Sequence, residues 1–367
     1  MLCELDIDGC KKIVCNSPTG FKSLNSMSLS NISDLGNWLT QDFQSVEVLI
    51  VARCDEIFLQ KQPQGLYSLI SLRKLYIIGI NTLTNCEGIQ KSNAQLVELG
   101  ISNCNTLTFV FRGKLPPSLK KLKIKYCEKF ECLLDDNEED SCSSSSMMHK
   151  ENVNASTCHL EDLNIGGCPS LRCLPSRHQL SASLTSLSVW DCSKLTTLSS
   201  TGHLPVALKH LTVFGCSELT ALLPKGQLPD TLESLAIGSC RKLESIVEKF
   251  QNNKALRDIN IEICQKLKFL PEGLETLSSL CNIYIVACQD FSSFPKGGFP
   301  DSNLSVFLKG CEKLEALSSG IHTLSSLQIH NCPNMSLSEE GLATKLAGLT
   351  IHLTRCCHNE GSSILVQ

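Results

Sequence analysis

Cysteine is the residue best placed to do chemistry in this chain, at 22 of 367 positions, beside nine histidines. Thiols and imidazoles in such number could hold zinc, close disulfides or supply a nucleophile. Metal binding and nucleophilic catalysis have recognisable spacings, and the sequence has none of these: no CxxC pair, no HExxH and no GxSxG. Cys10/Cys15, Cys127/Cys132 and Cys168/Cys173 are spaced CxxxxC, and Cys356-Cys357-His358 offers at most half a zinc site. His149, His159, His178 and His203 fall between the apolar runs, while His210, His330 and His352 fall within them. No catalytic, metal or cofactor site is expected, and the chain does not read as an enzyme.

The cysteines keep time instead. They stand at 168, 192, 216, 240, 264 and 288, always 24 residues apart, inside a recurring LxxLxIxxCxxL. Leu160, Leu163, Ile165, Cys168 and Leu171 make one copy; Leu208, Leu211, Val213, Cys216 and Leu219 make another. A period in the twenties with this leucine spacing is the signature of a leucine-rich repeat, in which each coil adds one short strand to a shared parallel sheet. No coil can bury its own apolar side, so stability comes from stacking.

Alternation assigns the faces. In Leu163-Asn164-Ile165 the two apolar residues point one way, into the core, and Asp162, Asn164 and Gly166 point to the open concave side. The cysteine follows the strand as a small buried side chain with a weak S–H donor for turn carbonyls. Twelve cysteines hold that position: Cys10, Cys54, Cys104, Cys127, Cys168, Cys192, Cys216, Cys240, Cys264, Cys288, Cys311 and Cys332. Stacked strands about 4.8 Å apart fall within disulfide range, but parallel Cβ vectors and a reducing compartment favour free structural thiols.

Working outward, further copies run from Leu2-Leu5-Ile7-Cys10 through the looser Leu72-Leu75-Ile77-Ile80 to Leu119-Leu122-Ile124-Cys127, and three more follow Cys288. Near the end Asn303 takes an opening leucine site with Leu304 one place late, and the last copy is Leu346, Leu349, Ile351 with Thr354 at the cysteine position. The expectation is an α/β leucine-rich-repeat horseshoe of about fifteen repeats over 1–367, with a parallel sheet on the concave face. On the convex face, LxxLP and GxLP at fixed offsets, as in Gly113-Lys114-Leu115-Pro116, Gly202-His203-Leu204-Pro205 and Gly226-Gln227-Leu228-Pro229, predict short 3₁₀ or extended segments. Between Cys127 and Cys168 an acidic, serine-rich excess over 133–157 reads as a disordered insertion.

A formal net charge of −4 gives no reason to expect nucleic acid, and no apolar run approaches the length of a membrane span. The opening MLCELDIDGCKK is acidic where a signal peptide is basic, which points to the cytoplasm or nucleus. N-x-S sequons at Asn31, Asn154, Asn303 and Asn334 then read as chance matches. The first copy starts one residue into the chain, so a missing N-terminal portion is expected.

LxxLxIxxCxxLxxLP followed by GxLPxxLxxL resembles the repeat domain of plant intracellular immune receptors of the nucleotide-binding leucine-rich-repeat class. Cys332-Pro333-Asn334-Met335 with Glu339-Glu340-Gly341-Leu342 is similar to their CPxL…EEGL segment, and the tail over 353–367 resembles a truncated form of their closing segment. The resemblance implies a sensor and autoinhibitory module in defence against pathogens. Its partners would be a pathogen effector, a guarded host protein or the receptor's own nucleotide-binding domain. ADP or ATP would sit on that upstream domain, since this chain has no GxxxxGK[ST] loop. The alternative is the substrate-recruiting arm of an F-box ubiquitin ligase, whose repeats also place cysteine after the strand but continue into a helix.

On the concave face the charged candidates for partner contact are Lys121, Lys123 and Lys125 in one repeat and Asp258 and Glu262 in another. Trp190 and Phe214 share one outward position in adjacent repeats, with His210 expected beside them and Tyr284 and Phe307 further along. These rings are either binding anchors or covers for one another and a neighbouring turn.

Overall fold

The computed structural model describes residues 2–13, 21–33, 43–55, 69–87, 89, 95–135, 158–172, 174, 180–199, 202–317, 320–335 and 353–354. The chain divides into two compact units, Met1–Leu184 and Thr185–Gln367.

In the first unit, β1 (Glu4–Asp8), β2 (Ser26–Ser30), β3 (Val48–Ala52), β4 (Lys74–Ile78), β5 (Glu98–Ser102), β7 (Lys121–Lys125) and β9 (Asp162–Gly166) pair in parallel, in chain order. Second and fourth residues of each strand align from coil to coil, as in Leu49↔Leu75 and Val51↔Ile77, and from β2 onward they are fully buried. Two short outer strands, β6 (Phe111–Arg112) and β8 (Leu134–Asp135), pair on the arm side. Leu133 and Leu134, expected in the insertion, are buried there, Leu133 completing an arm that opens with Phe130 and Leu134 pairing with Phe111. The rest of that segment, 136–157, lies outside the described residues. Register survives the longer arm: Lys121 pairs with Asp162, 41 residues on, as in-phase as Lys74 pairs with Glu98.

The second unit repeats the plan with β10 (Ser186–Trp190), β11 (His210–Phe214), β12 (Ser234–Gly238), β13 (Asp258–Glu262), β14 (Asn282–Val286), β15 (Leu304–Lys309), β16 (Leu324–His330) and β17 (Leu353–Thr354). Where Asn303 displaced the expected leucine, the register shifts between Leu304 and Ser305, and Leu304 is fully buried. The final strand corrects the sequence reading. Ile329 pairs with Leu353, two residues beyond the expected Ile351, and in the sequence this puts Cys356 rather than Thr354 at the cysteine spacing. The tail over 355–367 lies outside the described residues.

The arms carry 3₁₀ turns at Leu274–Thr276 and Ile321–Thr323, and α-helical backbone at Asp55, Glu87 and Ile89 in the looser copies. The helical component of the expected α/β class is therefore slight: the described chain is nearly all β, because prolines and short arms leave no room for a helix of several turns.

After every one of these sheet strands except β17 the chain enters the left-handed region, from Asp191 at φ 51° to Gly9 at φ 74°. The corner N–H then donates to the last strand carbonyl of the next coil, as Ile263 N does to Val286 O at 2.8 Å. Glycine, asparagine and aspartate take this conformation readily, and they fill most corners. Ile263, at φ 55° and 37% exposed, does not suit it, being β-branched. Ile263→Asn is expected to stabilise the protein by about 1 kcal/mol by relieving that strain, read as a raised urea midpoint at unchanged slope.

Candidate functional site

The thiols come first, being the most reactive groups present. Every described cysteine carries a thiol rather than a disulfide, and eleven of the twelve ladder cysteines are buried, Cys10 alone being exposed. Each buried one sits directly after the left-handed corner. Its Sγ–H is directed to the carbonyl two residues back, 3.3 Å from Gly238 O for Cys240 and 3.6 Å from Phe214 O for Cys216. A following thiol also raises the pKa of the one before it, as Cys127 does for Cys104 and Cys240 for Cys216. Burial pushes Cys264 up to about 12 and Cys288 up to about 11. At neutral pH those two groups are thiols rather than thiolates. Among the described residues no three His, Cys, Asp or Glu side chains gather as a metal site. His159, His203 and His210 are exposed, and His330 packs beside Phe307 at 5.3 Å between centroids. Cys15, Cys173, Cys356-Cys357-His358, His149, His178 and His352 lie outside the described residues.

The open face of each sheet carries the remaining chemistry. In the first unit β7 directs Lys121, Lys123 and Lys125 outward. Lys123 Nζ meets Glu98 Oε1 at 2.8 Å, and the Tyr76 hydroxyl reaches the same carboxylate. Glu98 is only 7% exposed; burial alone would raise its carboxyl, but hydrogen bonds from Lys123 and Tyr76 outweigh that and hold it below the usual range. Beside this cluster a depression of about 330 Å³ opens among Ile50, Tyr76, Ile78, Gly100, Lys123 and Lys125. Lys123 and Lys125 were candidates from sequence; the other four were not. The available signal was Gly100, a missing side chain at an outward position between Tyr76 and Lys123.

In the second unit, Trp190 and Phe214 are paired in register. Phe214 is 42% exposed, and its ring lies across the next coil at Gly238, so close that a Cβ there would strike it. His210 is not beside the pair: it opens the strand that Phe214 closes, about 13 Å away at strand rise. Tyr284 and Phe307 stack at 4.7 Å and 9°, with His330 continuing the cluster. Asp258 accepts from Asn282 Nδ2 at 2.7 Å and Glu262 from Asn260 Nδ2 at 3.1 Å, so both carboxylates are spoken for within the face. The candidates thus separate into a lysine cluster in the first unit and two aromatic groups in the second.

No protein-family model matches the chain, and no curated protein matches it either. The fold is a leucine-rich-repeat solenoid. Its own ladder of short parallel strands in phase shows that, and solved structures of the same kind resemble it. A leucine-rich-repeat protein of Leptospira interrogans is 16% identical over 95% of this chain and 89% of its own, with a TM-score of 0.43. CroV588, a circular leucine-rich-repeat protein, is 16% identical over 90% and 60%, at 0.28. One from Bacteroides ovatus is 14% identical over 96% and 92%, at 0.24. Likeness at that level carries no argument, and the fold rests on the ladder itself. Among the described residues no helix is long and apolar enough to cross a membrane.

Proposed function

We propose that this chain is a protein-binding repeat module, the sensor and autoinhibitory part of an intracellular plant immune receptor acting in defence against pathogens. The observation that carries the binding reading is the placing of large rings on the open face of a parallel sheet, Phe214 and Tyr284 partly exposed where no core needs filling. The receptor reading rests on the LxxLxIxxCxxLxxLP and GxLP pattern, and the scarcity of helix in the described arms accords with it better than with the helical repeats of an F-box ligase arm. Its partner would be an effector, a guarded host protein or the receptor's own nucleotide-binding domain, in the cytoplasm or nucleus, with ADP or ATP bound on that domain alone.

Truncating Trp190 and Phe214 together to alanine is expected to leave the melting curve nearly unchanged, since neither ring closes the core. In a full-length receptor it should abolish recognition or release spontaneous signalling. A large fall in Tm, or unaltered signalling, would make the rings packing elements. An in-frame phosphate-loop sequence upstream supports the receptor; an F-box there would overturn it.

A further inference from the structure

β5 is the low line of the first sheet's open face. Its outward residues after Glu98 are Gly100 and Ser102, while in register with them stand Tyr76 and Ile78 on β4 and Lys123 and Lys125 on β7. Small residues between two taller rows leave a trough along β5. Strands two apart set its walls about 9.6 Å from one another. One wall is apolar, formed by Ile78 and the Tyr76 ring and continued by Ile50 on β3; the other carries two ammonium groups. A Cβ on Gly100 would stand 2.6 Å from Tyr76 Cδ1, so the ring leans over a floor that only glycine provides. Glu98 does not line the trough; it ties the Tyr76 hydroxyl and the Lys123 ammonium together at one end, fixing a member of each wall.

Resting on the protein-binding reading, we infer that this trough takes an acidic segment of a partner protein in which an apolar side chain and a carboxylate stand two residues apart. In an extended peptide crossing the strands, residues i and i+2 project to the same side about 6.6 to 7 Å apart, which fits one against each wall. The apolar side chain lies against Tyr76, Ile78 and Ile50, and the carboxylate meets Lys123 and Lys125. Single-stranded nucleic acid suits the trough less well, because stacking needs successive rings and only Tyr76 offers one.

The test uses the full chain and fluorescein-labelled peptides read by anisotropy. A peptide repeating Leu-Ser-Glu-Ser is expected to bind, more weakly as salt rises, while Leu-Ser-Lys-Ser and Ser-Ser-Glu-Ser repeats do not. Lys125→Glu should weaken binding at least about tenfold by charge reversal, and Ser102→Trp, which fills the floor, should do the same at normal salt dependence. Both are surface changes, and an unchanged melting curve verifies the fold. Trp190→Ala/Phe214→Ala leaves this binding intact, because those rings belong to the other unit. Equal binding of all three peptides, indifference to both variants, tighter binding of oligouridine, or self-association that excludes the peptide each overturns the inference. If the inference fails while the ring variant still abolishes recognition, the protein-binding reading stands and the trough alone is dismissed.

Discussion

Aspartate in place of Cys216 should cost about 4 kcal/mol at neutral pH, the work of keeping protonated in the fold a carboxyl whose pKa in the unfolded chain is about 3.9. Cys216 has no exposed surface, and its neighbours are Cys240 and the Phe214 carbonyl, none of which can balance a negative charge. Such a loss is comparable to the whole stability of many domains. The sign with pH is diagnostic. A carboxyl raised in the folded state is fully tolerated only below its unfolded pKa, so the deficit shrinks under about pH 4 and grows as pH rises. Alanine should cost only about 1 kcal/mol, the loss of a small buried group and its cavity. The carbonyl is not orphaned, because Asp191 N already donates to Phe214 O at 2.8 Å. Chemical denaturation of both variants across pH checks the pair; an aspartate variant as stable as alanine at pH 7 would mean that the cysteine line is wet.

Gly226→Ala is the second large effect, about 3 kcal/mol through overpacking that nothing nearby can relieve. A Cβ on Gly226 would fall on the carbonyl oxygen of Gly202 and stand 2.8 Å from its Cα. Backbone meets backbone there, between the GxLP arms of successive coils. Gly113 belongs to the same motif yet has nothing within 4 Å, and only its φ of 75° resists a side chain. Gly113→Ala should therefore cost about 1 kcal/mol, near the lower end of backbone strain. Thermal unfolding of the two variants side by side tests the ranking, and equal effects would reduce the Gly202–Gly226 approach to an incidental one.

Strands, core and cysteine line were legible because each depends on a period, and period survives without knowledge of neighbours. Leu211, Val213 and Cys216 could be placed from spacing alone, and the structure buries all three. What depends on the next coil was not legible. Gly100 looked like any outward position until Tyr76 was seen to lean over it, and Gly238 until Phe214 did. Glu98 falls at an outward position by alternation, yet it is buried because Lys123 and Tyr76 come to it from either side. The corner escaped because Arg53, Tyr126, Ile263 and Ala287 occupy it alongside glycine despite the strain, so geometry there is imposed by the ladder and not by residue type. His210 was misplaced for a simpler reason: sharing a strand with Phe214 is not sharing an end of it.

The left-handed corner makes arm length and face chemistry separately heritable. Coils whose strands begin 22 residues apart (Glu4↔Ser26) and 41 apart (Lys121↔Asp162) rejoin the ladder in the same phase. An insertion or deletion in an arm consequently leaves every open-face side chain in its row, whereas one inside a strand would turn the whole row over. A lineage can vary the two surfaces independently, and a protein engineer can graft a tag or a second domain after Asp135 without repainting the open face.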